Sequence, residues 1–260
     1  MEIPLPASLS PVVDVSDTDP LPGVSCPICN GTKFKPHRDR GRVKGATCAS
    51  FPRTRMAWLL IEHVVKLRPD ARIAHFAPEP PVARLLTERH GVGYEAYDLD
   101  PSRERWVNEP FPVHRLDLCA DLHKLEDASY DLVMHHHVIE HLPCNETVVL
   151  QRLQAKVKPG GYHIFSLPIR EGAYYRSDVD PRLTDEKRAS RFGQSNHLRR
   201  FGVLDFDQTL GMVFDIPTDY DVTSYLDDEM LSAAHVLPRQ RIIGGGTVFI
   251  LDSEGKAAAV

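Results

Sequence analysis

The chain has no long apolar run. Its most hydrophobic stretch, Met56 to Val65, is interrupted by Glu62 and His63 and is far shorter than the roughly 20 residues that a membrane helix needs. No membrane partner is expected. The first residues, Met1 to Val13, lack a basic region ahead of an apolar core, so no secretory signal or basic transit peptide is expected and a cytoplasmic location follows. Positive charge is also short: 36 acids against 31 bases give a net charge of −5, which leaves no basic field for holding a phosphate backbone and excludes nucleic acid as an expected partner. Cysteine is sparse and odd in number. Five in 260 residues do not make a disulfide framework, and a reducing compartment fits. What is present is ordinary globular composition, 42% hydrophobic and 26% charged, enough for one full α/β domain plus a small appendage.

Residues 1–24 carry Pro4, Pro6, Pro11, Pro20 and Pro22 among Ser and Asp and read as an extended leader. Residues 25–52 are polar and Gly-bearing, a small knuckle of turns and short strands. The rest, 53–260, reads as the main domain. Arg53 to Leu67 places Met56, Leu59, Leu60, Val64 and Leu67 at helical spacing, closed by Pro69, and predicts an amphipathic helix. Strand patterns then alternate with helices: strands over Arg72–Ala77, Gly93–Leu99, Val113–Leu116, Ser129–His135 and Tyr162–Leu167, helices over Pro80–His90 and Glu146–Val157, and a turn at Lys158-Pro159-Gly160-Gly161. Such alternation implies right-handed crossovers and a Rossmann-like α/β fold with a doubly wound, mostly parallel sheet. Residues 168–202 break the rhythm with a polar, Arg-rich insertion. A helix over Asp205–Gly211 and strands near Asp215–Tyr225 and Arg241–Asp252 close the chain.

In such sheets the ligand sits at the carboxyl ends of the strands. The loop after the first strand is Ala77-Pro78-Glu79-Pro80-Pro81. It has no glycine for close backbone approach, three prolines without N–H, and a carboxylate, so it is hostile to a pyrophosphate. That argues against a nicotinamide-dependent oxidoreductase. A cofactor with an ammonium and a sulfonium but no phosphate, as in S-adenosylmethionine, meets no such objection, and Glu79 would attract its positive end. The second strand ends in Asp98, with Asp100 as second choice, where a ribose diol would lie. Asp117, after the third strand, is placed to accept from an adenine amino group.

At these residues the sequence resembles the class I S-adenosylmethionine-dependent methyltransferases, particularly the methyltransferase type 11 group. The resemblance runs from about Arg72 to Leu167. It is most specific in Ser129-Tyr130-Asp131-Leu132-Val133-Met134-His135-His136-His137-Val138-Ile139-Glu140-His141-Leu142-Pro143 and in Leu153 to Gly161, which ends in the Lys-Pro-Gly-Gly turn. The glycine-free first loop departs from most members. His75 to Glu79, Phe192-Gly193-Gln194 and His197-Leu198-Arg199 are similar to a subgroup that carries these segments. The resemblance implies methyl transfer from S-adenosylmethionine, with S-adenosylhomocysteine as product. It implies Glu79, Asp98, Asp117 and His136 near the cofactor, and His75, Ala77, Leu99, Leu118 and His135 are the further candidates for the cofactor site. A non-catalytic cofactor-binding module of the same fold is the alternative.

His136 and His137 are the candidate bases, tuned near neutrality, for an acceptor that must lose a proton. The insertion has eight Lys or Arg against five Asp or Glu over residues 170–200. It reads as a substrate lid whose Arg forks suit a small anionic, carboxylate-bearing acceptor, with Tyr174, Tyr175, Arg191, Gln194, His197 and Arg199 as candidates. His137-Val138-Ile139-Glu140-His141 also spells an inverted zinc-peptidase motif. The strand running into it and Pro143 just after it do not provide the long helix that such a site needs. Cys26-Pro27-Ile28-Cys29 and Cys48 have zinc-ribbon spacing, but Phe51 stands where a fourth cysteine belongs. His37 is the residue that could complete the set; a knuckle held by packing without metal is the other reading. Cys119 and Cys144 read as small hydrophobes.

Overall fold

The computed structural model describes residues 19–38, 41–103, 106 and 109–258; most of the expected leader lies outside them. The knuckle is a two-stranded antiparallel ribbon, β1 (Phe34–Pro36) and β2 (Arg42–Gly45). It leads into α1 (Pro52–Leu60), which continues as a wider π-helical turn over Ile61–Val65 and stops at Lys66 in the left-handed conformation. The expected amphipathic face is absent from α1, where every residue but Arg53 is buried. The reason is that α1 is enclosed on both sides. Arg55 is fully buried and donates to the carbonyls of Val43 and Ser50 in the knuckle and of Ala234 and His235 near the C-terminal end. One guanidinium thus satisfies backbone acceptors on both sides of the helix.

The main sheet takes β3 (Ile73–Phe76), then β4 (Tyr94–Asp98) after α2 (Pro80–His90), β5 (Val113–Arg115), β6 (Tyr130–His136), and, after α3 (Glu146–Gln154), β7 (Val157–Ser166). The insertion contributes a separate three-stranded sheet from β8 (Ile169–Arg170), β9 (Arg176–Ser177) and β10 (Arg199–Gly202), with α4 (Asp185–Phe192) between the last two. The short helices α5 (Leu210–Phe214) and α6 (Asp228–Ala233) precede β11 (Phe249–Leu251).

The six strands lie in the order β11-β7-β6-β3-β4-β5 and are parallel except for β11. The fold is therefore the expected doubly wound α/β sheet. The chain moves from β3 to β4 on one side and later returns to β6 on the other, which opens a crevice at the carboxyl ends of β3 and β6. β3 is buried along its whole length, as parallel strands covered on both faces are.

Three elements differ from expectation. Lys158-Pro159-Gly160-Gly161 is a bulge inside β7 rather than a turn before it: Tyr130 pairs with Val157 and Leu132 with Tyr162, so the intervening residues loop out. Gly161 fits there because a Cβ would stand 2.9 Å from the carbonyl oxygens of Tyr130 and Asp131. The helix expected over Asp205–Gly211 is a series of turns, with α5 starting only at Leu210. The strand expected near Asp215–Tyr225 is replaced by turns and a single bridge from Asp221 to Ile242. Among the described residues no helix is long and apolar enough to cross a membrane.

Candidate cofactor and acceptor site

A cavity of about 670 Å³ opens at the carboxyl ends of β3, β4, β5 and β6. Its floor is the glycine-free loop. Ala77 adopts φ +47° and donates its N–H to the Tyr97 carbonyl at 2.7 Å. An alanine thus holds the left-handed bend at a cost of about 1–2 kcal/mol. Pro80 and Pro81 open α2, so two of the N–H groups that would bind a phosphate at a helix start are missing. Glu79 lines the cavity, and one of its oxygens meets Arg53 of α1 at 2.9 Å while the other has no protein partner. Burial opposes its charge, but Arg53, helped by the Thr54 hydroxyl, outweighs that and holds the carboxyl down at about 2. Arg53 also lines the cavity, and its Nε has no partner. A carboxylate and a guanidinium side by side match the ammonium and carboxylate of an amino-acid moiety.

Asp98 ends β4 as a buried residue on the cavity wall, accepting from the Asp100 N–H at 3.0 Å, with Arg103 at 3.9 Å. Asp100 itself is exposed and engaged with Ser102. Leu99, Leu116 and Leu118 supply apolar wall on either side of Asp98. Asp117 also lines the cavity, although one of its oxygens accepts from the Cys119 N–H at 2.8 Å and so fixes its own loop. This combination suits a nucleoside: a buried acceptor for a diol, flat apolar walls, and a further acceptor at the rim.

The histidine run of β6 divides by strand alternation. His135 points away from the cavity, fully buried against the Phe165 ring at 5.4 Å, with burial driving its pKa far down; the cofactor contact expected of it does not form. His136 faces the cavity. Its Nδ1 lies 2.9 Å from the Ser166 hydroxyl, and its Nε2 has no protein partner. Burial lowers its pKa to about 4, with Arg53 and His137 adding to the shift against the opposing Glu79. It is therefore neutral at physiological pH rather than tuned near neutrality.

His137 turns the chain with φ +52° and also lines the cavity. Its Nδ1–H donates to the buried Glu140 carboxylate at 3.1 Å, so in the neutral ring Nε2 carries the lone pair, and that nitrogen has no protein partner. Burial opposes ionisation of Glu140, but the His137 hydrogen bond and the neighbouring histidines hold its pKa below the usual carboxylate value. The pair has the geometry of a base oriented by a carboxylate.

Several expected residues are not brought to the cavity. His75 lies fully buried beneath the loop. It accepts from the Glu79 N–H at 3.4 Å and faces the Tyr94 hydroxyl at 3.0 Å, with burial lowering its pKa to about 3, so it props the loop from below. Tyr174 is exposed, and Tyr175 donates its hydroxyl to Glu146. Arg191 pairs with Asp178 on the surface, and Gln194 is exposed away from the cavity. Arg199 is buried and spent on the carbonyls of Ile139 and Cys144, with Glu146 at 3.4 Å. The expected arginine clamp is therefore not assembled. What the insertion does deliver is Asn196 on the cavity wall and His197 against Glu140. The sequence reading missed Arg53 and Asn196 as site residues. No spacing pattern marks either, because each reaches the cavity from an element outside the alternating core.

Cys119 and Cys144 form a disulfide, contrary to the reading of both as unpaired hydrophobes in a wholly reduced chain. It ties the loop after β5 to the loop before α3 at the cavity rim. In the knuckle the Cys26, Cys29 and Cys48 sulfurs converge, with Cys26 Sγ 3.6 Å from Cys48 Sγ and 3.3 Å from the Ser50 hydroxyl. The Cys26–Cys48 hydrogen bond leads the shifts at both thiols, pushing Cys26 up and bringing Cys48 down to about 7. His37 does not join them; its ring packs on Phe51 at 4.8 Å. Among the described residues the trio offers three ligands of the four that a structural zinc tetrahedron needs.

Residues 79–207 match the family model described as a methyltransferase domain. No curated protein matches the chain. Among solved structures, an S-adenosylmethionine-dependent methyltransferase from Archaeoglobus fulgidus is similar at 18% identity and a TM-score of 0.41, covering 62% of this chain and 65% of that one. One from Mesorhizobium loti is similar at 19% identity and 0.32, covering 38% and 47%. A putative sarcosine dimethylglycine methyltransferase from Galdieria sulphuraria is similar at 20% and 0.35, covering 46% of each. The chain thus spans less than two thirds of the first two of these proteins, and likeness at this level says nothing of substrate. Residues 79–207, which carry the end of the loop after β3, the edge of β4 and the β6 turn, are thus similar to a methyltransferase domain.

Proposed function

We propose that this chain transfers a methyl group from S-adenosylmethionine to a hydroxyl of a small-molecule acceptor, with His137 as the general base. The observation that carries the reading is the His137 imidazole: its Nδ1–H is held by buried Glu140 and its Nε2 lone pair is left without a protein partner on the cavity wall. When bound, S-adenosylmethionine supplies a sulfonium-activated methyl group that a nucleophile displaces in line. Asp98 accepts from the ribose hydroxyls, and Leu99 and Leu118 flank the base with Asp117 at its rim. Glu79 and Arg53 hold the amino-acid end. His136, kept neutral by burial, places no second positive charge beside the sulfonium. His137 Nε2 takes the proton as the acceptor oxygen attacks, and Glu140 stabilises the imidazolium that forms.

An anionic acceptor would have rested on the insertion arginines. The groups at this end of the cavity are instead His137, His141 and Asn196, which suit a hydroxyl. The test is a screen of phenols, alcohols, amines and carboxylates with methyl-labelled S-adenosylmethionine. Label transfer to a hydroxyl compound, abolished in H137A, is the expected result. Transfer only to carboxylates, undiminished in H137A, would overturn the assignment.

A further inference from the structure

We propose that Glu140, His141 and His197 form a divalent transition-metal site whose open coordination positions face the cavity. The three come from two places that the chain brings together rigidly. Glu140 and His141 sit in the 3₁₀ turn Ile139–His141 after β6, and His197 enters from the insertion just before β10. The Leu198 N–H donates to the Glu140 carbonyl at 2.9 Å, and the Arg199 guanidinium donates to the Ile139 carbonyl, so the residues that follow His197 are tied to the turn by one backbone and one side-chain hydrogen bond.

The side chains then converge. His141 Nε2 and His197 Nε2 lie 3.9 and 4.0 Å from Glu140 Oε1, and the two imidazole rings are 4.8 Å apart in an edge arrangement. One ligand atom from each residue lies within 4.8 Å of the others. An ion with nitrogen and oxygen ligands at about 2.0–2.2 Å holds its donors roughly 3.3 Å apart, so each histidine needs to close on the carboxylate by less than about 1 Å and no pair of donors by more than about 1.5 Å.

Hydrogen bonding makes the arrangement hard to explain without a cation. His141 Nδ1 lies 3.0 Å from the Asn196 carbonyl, which can only accept, so Nδ1 carries the proton and the neutral ring turns a lone pair toward the carboxylate. Glu140 Oε2, on a fully buried side chain, has no protein partner. A lone pair facing a buried carboxylate is unfavourable unless something positive lies between them. The Asn196 carbonyl meanwhile supplies the outer hydrogen bond that metal-bound histidines ordinarily make. Two imidazoles and one carboxylate select a first-row ion such as zinc, cobalt, manganese or iron(II) and leave coordination positions open. Those positions face the acceptor end, because His141 and Asn196 both line the cavity.

The site shares Glu140 with the His137 pair, but its test reads metal binding rather than turnover. Metal-stripped protein is titrated with cobalt(II) and followed by absorbance. Ion bound at the knuckle thiols shows intense sulfur charge-transfer absorption, whereas ion bound at nitrogen and oxygen ligands shows only the weaker visible bands. The expected result is one equivalent of visible-band cobalt without sulfur character, with affinity at least about tenfold weaker in H141A and in E140Q and unchanged in R191A. His141 is partly exposed, so H141A reads out ligation even if E140Q fails to fold. Cobalt uptake confined to the sulfur bands, or visible bands unaltered in both H141A and H197A, would overturn the proposal and leave a protonated His141 as the cation beside Glu140.

Discussion

The two walls of the cavity, proposed above to hold the cofactor and the acceptor, are built in different ways. The first comes from three successive strand ends, β3, β4 and β5, and its carboxylates occupy positions that the strand pattern dictates, with Arg53 added from α1. The second is assembled from the turn after β6 and from a segment more than fifty residues later, and it is held by buried polar bonds: Glu140 to His137, Arg199 to two carbonyls, Leu198 to Glu140. A wall made of strand ends is fixed by the hydrophobic core beneath it. A wall made of polar crosslinks depends on each partner being present, because a buried donor or acceptor left alone costs about 1–3 kcal/mol.

This contrast is sharpest between neighbouring histidines. H137A should lower kcat with a hydroxyl acceptor by about 10²–10⁴-fold with little change in KM. H135A, inside β6 and turned into the core, should leave turnover intact and lower only stability. Equal losses of turnover in both would erase the distinction between the buried end of β6 and the turn that follows it.

Next in size is the rim disulfide. Its two cysteines are 25 residues apart, and closing a loop of that length stabilises by about 3.5 kcal/mol in the chain-entropy account. C119A/C144A should therefore unfold at lower urea, and a midpoint unchanged in oxidising buffer would show that the rim is held by its other bonds.

The strands beneath both walls share an acid response. His75, His135, His136 and His163 are buried with pKa values lowered by burial, to about 3 at His75 and His163 and about 4 at His136. Unfolding frees each to bind a proton, so the unfolded state holds more protons below pH 6.5. Stability should fall as pH drops from 6.5 toward 4, by up to about 1.4 kcal/mol per pH unit for each histidine. Glu79, held at about 2, adds a loss of the same sign between pH 4.5 and 2. A urea midpoint flat from pH 6.5 to 5 would contradict this. The smallest expected effects separate the arginines: R53A should weaken S-adenosylhomocysteine binding about tenfold, as loss of a charged hydrogen bond does, and R191A should leave it unchanged.

The cofactor wall was readable in the sequence because β3 to β6 obey simple periods, and Asp98, Asp117 and Glu79 follow strand ends in chain order. His135 was misplaced because a run of three histidines hides which member alternates inward. The acceptor wall was hardly readable. Arg191 and Arg199 look alike in sequence, yet one meets Asp178 at the surface and the other is consumed by buried carbonyls. Only the tertiary bond from Leu198 to Glu140 decides that His197, and not Gln194, arrives at the site. The bulge in β7 was read as a turn because Pro159 and Gly160 signal a chain break whether or not pairing resumes beyond it.

The central claim is that the cavity is a nucleoside site centred on Asp98. The direct measurement is calorimetric titration of S-adenosylhomocysteine into the native chain and into D98A, with NAD as control. The account predicts saturable binding by the native chain, silence with NAD, and affinity weakened about ten- to a hundredfold in D98A, as removal of a charged acceptor would produce. Equal affinity in the two proteins, or binding of NAD alone, would contradict it.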